Sequence, residues 1–111
     1  MPSCVSFIYV DVSKVETYEG FIKDFMVYVK EHEPGCLEYR WKKLPLSEEG
    51  ATTQKYVFFE RYTSMEAFEK GHLGSPKFQE GFELLTKGGV LTSMPETTWF
   101  PDEDLVGSFT R

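Results

Sequence analysis

Residues 54–62, QKYVFFERY, restrict the fold more than any other stretch of the chain. In an extended strand successive side chains alternate between faces. Tyr56, Phe58, Glu60 and Tyr62 then share one face, and Val57, Phe59 and Arg61 share the other. A strand with large apolar groups on both sides needs cover on both sides. It also carries a carboxylate, Glu60, in its most aromatic row. Thr63 and Ser64 follow as a turn, with Ser64 suited to cap a helix over residues 65–72 that carries His72. Gly74-Ser75-Pro76 ends that helix, and Ser75 and Pro76 suit the N-cap and first position of the next. A carboxylate and an imidazole therefore flank one strand-to-helix turn, which is where chemistry is expected.

The other elements fall around this one. Residues 5–12 (VSFIYVDV) are β-branched and aromatic and read as a strand. Ser13 and Thr17 are candidate caps for a helix over residues 17–33. Its apolar positions Tyr18, Phe21, Ile22, Phe25, Met26 and Val29 recur at three- and four-residue steps, the face of an amphipathic helix. Pro34-Gly35 stops it, because the residue before proline avoids the helical region. Residues 36–44 (CLEYRWKKL) read as a second strand, with Leu37, Tyr39 and Trp41 on one face and Glu38, Arg40 and Lys42 on the other. Residues 45–53 form a polar connection. Phe78, Phe82 and Leu85 mark a further helix closed by Gly88-Gly89, and residues 96–100 (ETTWF) form a last strand.

The order is β-α-β-β-α-α-β. It predicts an α+β, ferredoxin-like antiparallel sheet with helices on one face. The uncovered face predicts a homodimer packed sheet against sheet. The whole chain of 111 residues is expected to be one domain, with a core over residues 5–100 and a tail over 101–111.

Composition narrows the function classes. Ten Phe and six Tyr are many for a chain of this length, and they need a core, a pocket or an interface. A net charge of −6 argues against a nucleic-acid partner, which needs clustered Lys and Arg. The run Arg40-Trp41-Lys42-Lys43 reads as a solvated strand face. Cys4 and Cys36 fit no metal-binding spacing and read as free thiols of a cytoplasmic protein. His32 and His72 form no metal set with them. No run of residues has the length and apolarity of a membrane span, and Asp11 and Lys14 interrupt the N-terminal region where a signal segment would lie.

Three segments carry a family resemblance. Residues 32–39 (HEPGCLEY) resemble the E-x-G-(C/T)-x-x-(Y/F) turn of antibiotic biosynthesis monooxygenase (ABM) domains. Residues 59–68 (FERYTSMEAF) resemble that family's E-x-(W/Y)-x-(S/D)-x-x-A-(L/F) segment, and residues 72–78 (HLGSPKF) its H-x-x-S-P-H-F. The resemblance spans residues 5–100. It implies a dimeric α+β barrel. It also implies a monooxygenase that oxidises aromatic phenols or quinols without metal or flavin, so no cofactor is expected. Other branches degrade haem or isomerise a phosphorylated sugar. The haem branch uses an Asn, a Trp and an axial His; the matching places here are a first strand without Asn, Tyr62, and the neighbourhood of Phe82. Two departures stand out. Gly71 lies one residue beyond the family's usual spacing to the histidine, so it is expected to bulge the helix and re-aim His72. Lys77 stands where many members have a second histidine.

Oxygenation without a cofactor needs a base, donors to substrate oxygens and a dry aromatic pocket. His72, Glu60 and Tyr62 are the expected catalytic groups. Tyr56, Phe58, Tyr39, Trp41 and Trp99 are the expected substrate-binding groups. For each there is a plainer role: His72 and Glu60 as a buried pair fixing the turn, the tryptophans as core or dimer interface, and His32 against the end of its helix. The alternative to an enzyme is a non-catalytic dimeric module that binds a small ligand or a partner protein. An open cavity reached by His72 favours the enzyme; a space filled by Phe and Tyr favours the module.

Overall fold

In the computed structural model, which describes residues 1–100 and 110–111, strand β1 (Ser3–Asp11) leads through a single 3-10 turn into helix α1 (Val15–His32). Strand β2 (Cys36–Lys43) and strand β3 (Thr53–Tyr62) follow as a hairpin. A π-helical segment (Ala67–His72), helix α2 (Pro76–Lys87) and strand β4 (Glu96–Phe100) complete the order. The sheet is wholly antiparallel in the order β2-β3-β1-β4, the ferredoxin-like arrangement expected. The expected tail lies largely outside the described residues. Among the described residues no helix is long and apolar enough to cross a membrane.

The sheet register assigns the faces. Glu60, Phe58, Tyr56 and Gln54 of β3 pair with Cys4, Ser6, Ile8 and Val10 of β1, and these rows face the helices. The core forms between them and α1, from Val10, Tyr18, Ile22, Phe25, Val29, Tyr56 and Phe58. The three-and-four stripe of α1 is thus its buried face. The caps differ from expectation at α1. Asp11 accepts from the Ser13 backbone N–H and caps the 3-10 turn, and Lys14 precedes the helix with no side-chain bond. Neither Ser13 nor Thr17 is the cap. At α2 the expectation holds: Ser75 accepts from the Phe78 backbone N–H and Pro76 is the first residue.

Strand β2 holds a correction. Cys36 pairs with Tyr62 and Glu38 with Arg61, so Leu37 is an extra residue in a β-bulge. The bulge breaks the simple alternation. Tyr39 and Trp41 pack on the core, while Leu37 is an exposed hydrophobic rather than their companion.

The outer face of the sheet carries Val5, Phe7 and Tyr9 of β1 beside Val57 and Phe59 of β3. Phe59 is 46% exposed. The Lys55 ammonium lies 4.3 Å from the centroid of the Phe7 ring. No helix among the described residues covers this face, as expected.

Candidate functional site

A cavity of about 490 Å³ lies between the helix-facing rows of the sheet and the two helices. Helix α1 contributes Tyr18, Phe21, Ile22 and Phe25; α2 contributes Phe78, Phe82 and Leu85. The sheet contributes Ser6, Ile8, Tyr39, Phe58 and Glu60, and β4 adds Thr97 and Trp99. Phe68 and Leu73 close the end near the π-helical segment, and Leu91, Met94 and Pro95 the side leading into β4. Met94 is 67% exposed, which puts the solvent side there. The volume lies in the range of small-molecule sites, and the walls are mainly aromatic and aliphatic.

Glu60 is the carboxylate among the described lining residues. Its alternation in β3 aims it at the helices, and it is only 8% exposed. The Tyr62 hydroxyl donates to its Oε1 at 2.6 Å. Burial raises the Glu60 carboxyl above the ordinary glutamate value, against lowering by the Tyr62 hydrogen bond and the His72 charge. Burial and the neighbouring Glu60 also push the Tyr62 phenol far up, so it stays a donor.

His72 lies behind Glu60 and does not line the cavity. Its Nε2 is 3.7 Å from Glu60 Oε1, an ion-pair distance longer than a hydrogen bond. Its Nδ1 is 2.7 Å from Glu33 Oε1. The ring is 3% exposed and packs among Phe25, Phe68 and Phe78. The spacing toward His72 is set by the π-helical segment. Ser64 accepts from the Ala67 N–H at 3.0 Å, and the Leu73 N–H reaches back five residues to the Phe68 carbonyl at 2.9 Å. A single-residue insertion in a helix is absorbed as such a wide turn. Gly71 lies within it, as the expected bulge, and a Cβ there would meet nothing within 4 Å.

The expected substrate-binding residues divide. Phe58, Tyr39 and Trp99 line the cavity; Tyr56 and Trp41 do not. The Tyr56 hydroxyl donates to Glu19 at 2.6 Å, and the Trp41 indole N–H points to Met26 Sδ at 2.7 Å. Both polar tips are already engaged on the α1 side. Trp99 stacks edge-on against Phe68 at 4.5 Å. His32 is exposed and sits beside Tyr28 and Glu31.

Sequence reasoning passed over four participants. Tyr18 looked like core by its spacing, yet it faces the cavity. Ser6 and Thr97 lie on different strands and bond to each other at 2.8 Å in the wall. Glu33 stands first in the E-x-G turn, but nothing in that turn tells that its side chain points inward to a histidine 39 positions away. Among the described residues no group of His, Cys, Asp and Glu is arranged to hold a metal ion. Cys4 and Cys36 are free thiols, raised by burial to about 12 and about 11.

Comparison with known proteins follows the same lines. The family model described as antibiotic biosynthesis monooxygenase matches residues 1–84. A solved structure from Caulobacter crescentus CB15, provisionally assigned by its name to those monooxygenases, is 27% identical, with a TM-score of 0.74 over 93% of this chain and 90% of that one. One from Deinococcus radiodurans with the same provisional assignment is 16% identical, with a TM-score of 0.78 over 99% and 100%. Rv0793 from Mycobacterium tuberculosis is 23% identical, with a TM-score of 0.66 over 96% and 100%. The last two likenesses bear on the fold alone. None of the curated proteins compared matches this chain.

Proposed function

The chain belongs to the antibiotic biosynthesis monooxygenase family, and we propose that it is a cofactor-independent monooxygenase acting on a small aromatic phenol or quinol. The observation that carries the reading is Glu60: a buried carboxylate, raised by burial, in the wall of an otherwise largely aromatic cavity. Burial makes such a carboxylate a stronger base than an exposed one, while the aromatic walls hold a planar ring.

For an anthrone-type carbon acid the steps balance without a further reductant. Glu60 takes the acidic proton, leaving a delocalised anion. The anion passes one electron to dioxygen, and the two radicals join in a C–O bond. The peroxide anion takes the proton back from Glu60. The resulting hydroperoxide loses water as the second C–H proton departs and the O–O bond breaks. In sum, one methylene group and one dioxygen become one carbonyl group and one water. In this scheme Tyr62 holds the Glu60 oxygen in place, His72 supports it from behind, and the Tyr39 and Tyr18 phenols, both raised by burial, stay protonated as donors to substrate oxygens. Phe58 and Trp99 wall the ring; Tyr56 and Trp41 buttress that wall from outside the cavity.

Oxygen uptake with a panel of anthrones and quinols tests the reading. One dioxygen consumed per carbonyl formed is expected. Binding of the same compounds with no oxygen uptake would leave the ligand-binding module instead.

The uncovered sheet face supports a second part of the proposal, a homodimer packed through Val5, Phe7 and Phe59. Sedimentation equilibrium at micromolar concentration is expected to give twice the chain mass. A monomer at every concentration would reject it. Two free thiols fit a cytoplasmic setting, which we adopt with this reading.

A further inference from the structure

We propose that Glu33 is a positioning residue for the cavity carboxylate: it anchors His72 through Nδ1 so that Nε2 stays turned toward Glu60. The proposal rests on the role of Glu60 given above for its catalytic consequence, but not for its geometry.

Glu33 ends α1, where its backbone N–H bonds to the Val29 carbonyl. The adjoining Pro34-Gly35 turn carries the chain away, and Gly35 lies so close to the π-helical segment that a Cβ there would come 2.7 Å from the Ala67 Cβ. The close approach brings the end of α1 against the helix that bears His72. The Glu33 side chain is 5% exposed. Its Oε1 is 2.7 Å from His72 Nδ1. Its Oε2 is buried without a partner among the described residues.

A buried acceptor left unpaired costs roughly 1–3 kcal/mol. A merely structural contact would be better served by an apolar residue. The carboxylate instead fixes which ring nitrogen faces inward, as an acceptor on one imidazole nitrogen fixes the role of the other. A line of groups then runs from the cavity inward: Glu60, with Tyr62 on its Oε1, then His72, then Glu33. The remaining titratable neighbours of Glu60 are Tyr39, Tyr18, Cys4 and Cys36, all raised by burial and neutral at pH 7. After the Tyr62 hydrogen bond, the interaction with His72 is what draws the Glu60 carboxyl back down. Of the two more distant charges on Glu60, attraction by His72 outweighs repulsion by Glu33.

Carbon-13 NMR of the Glu60 carboxyl and nitrogen-15 NMR of the His72 ring, in wild type and in Glu33→Leu, which leaves no acceptor for Nδ1, test this without turnover. In the variant the ring loses its anchor, and Glu60 loses more attraction than repulsion. The Glu60 titration is expected to move to higher pH, and the His72 Nδ1 signal to leave its wild-type position. Where a substrate is turned over, kcat is expected to fall roughly a hundredfold with KM little changed, the scale of a misplaced catalytic group. Unchanged Glu60 and His72 spectra in a folded Glu33→Leu would overturn the proposal. If that variant does not fold, the wild type decides: its Nδ1 proton must exchange slowly and show a nuclear Overhauser contact to the Glu33 methylenes, and absence of that contact overturns the proposal. A shifted Glu60 titration in a protein that oxidises none of the panel would retain Glu33 in its place and reject the monooxygenase reading alone.

Discussion

Glu60→Gln is expected to lower kcat by roughly 10²- to 10⁴-fold, the range carried by a general base. The substitution keeps the shape of the side chain, so the cavity and the Tyr62 hydrogen bond can persist while the basic oxygen is lost. The pH profile separates this from a steric effect. Burial raises the Glu60 carboxyl, and the base must be ionised to act. Wild-type kcat/KM is therefore expected to climb with pH through that raised value and then level, and Glu60→Gln to lack the climbing limb. Stability gives a check independent of substrate. The folded value lies above the unfolded one, so the proton on Glu60 favours the fold. That contribution is fully present below the ordinary glutamate value and is lost as pH rises through the folded value. The stability of wild type minus that of Glu60→Gln should fall with rising pH across that window. Asp11 and Glu19, both lowered by hydrogen bonds, work in the opposite sense at lower pH and cancel in the difference. Turnover within a few-fold of wild type in Glu60→Gln would sink the assignment of the base.

Much of this was legible in the chain because period and punctuation are local. Alternation in residues 54–62 put Tyr56, Phe58, Glu60 and Tyr62 on one face, and the register keeps them there. Ser75-Pro76 and Gly88-Gly89 bound α2 as their chemistry requires. Three features were not local. Leu37 left its row because an extra residue in β2 is set by the pairing with β3, not by β2 itself. The caps of α1 moved because Asp11 accepts from the Ser13 N–H first and tightens the entry into a 3-10 turn. The order of the polar groups around the cavity depends on depth. Spacing brought His72 and Glu60 together, but only the packing of Phe25, Phe68 and Phe78 around the ring shows that the carboxylate, not the imidazole, reaches the cavity. Gly71 was visible as an extra residue that would bulge the helix; that the widened turn would leave His72 against Glu33 was not.

Phe25→Ala is expected to destabilise the fold by about 3 kcal/mol, the lower end of the range for removing a buried phenylalanine. Phe25 is 1% exposed at the centre of α1. Its ring meets Phe21, Tyr28, Tyr39, His72 and Phe78 at centroid distances of 5.7, 6.0, 6.2, 5.4 and 6.0 Å. It joins α1 to the sheet through Tyr39 and to α2 through Phe78. The lower end applies because the ring also lines the cavity. Its removal enlarges an existing space, which water or neighbouring rings can enter, rather than opening a sealed void. A chain of this size has about 5–15 kcal/mol in all, so the loss is a large share. Urea unfolding should show a lower midpoint with an unchanged slope. Leu84→Ala on the outer side of α2, where the side chain is 65% exposed, is the control and should stay within about 0.5 kcal/mol. A Phe25→Ala loss no larger than that of the control would mean that the aromatic cluster does not hold the helices to the sheet. The cavity would then owe its shape to the sheet and to β4 rather than to α1.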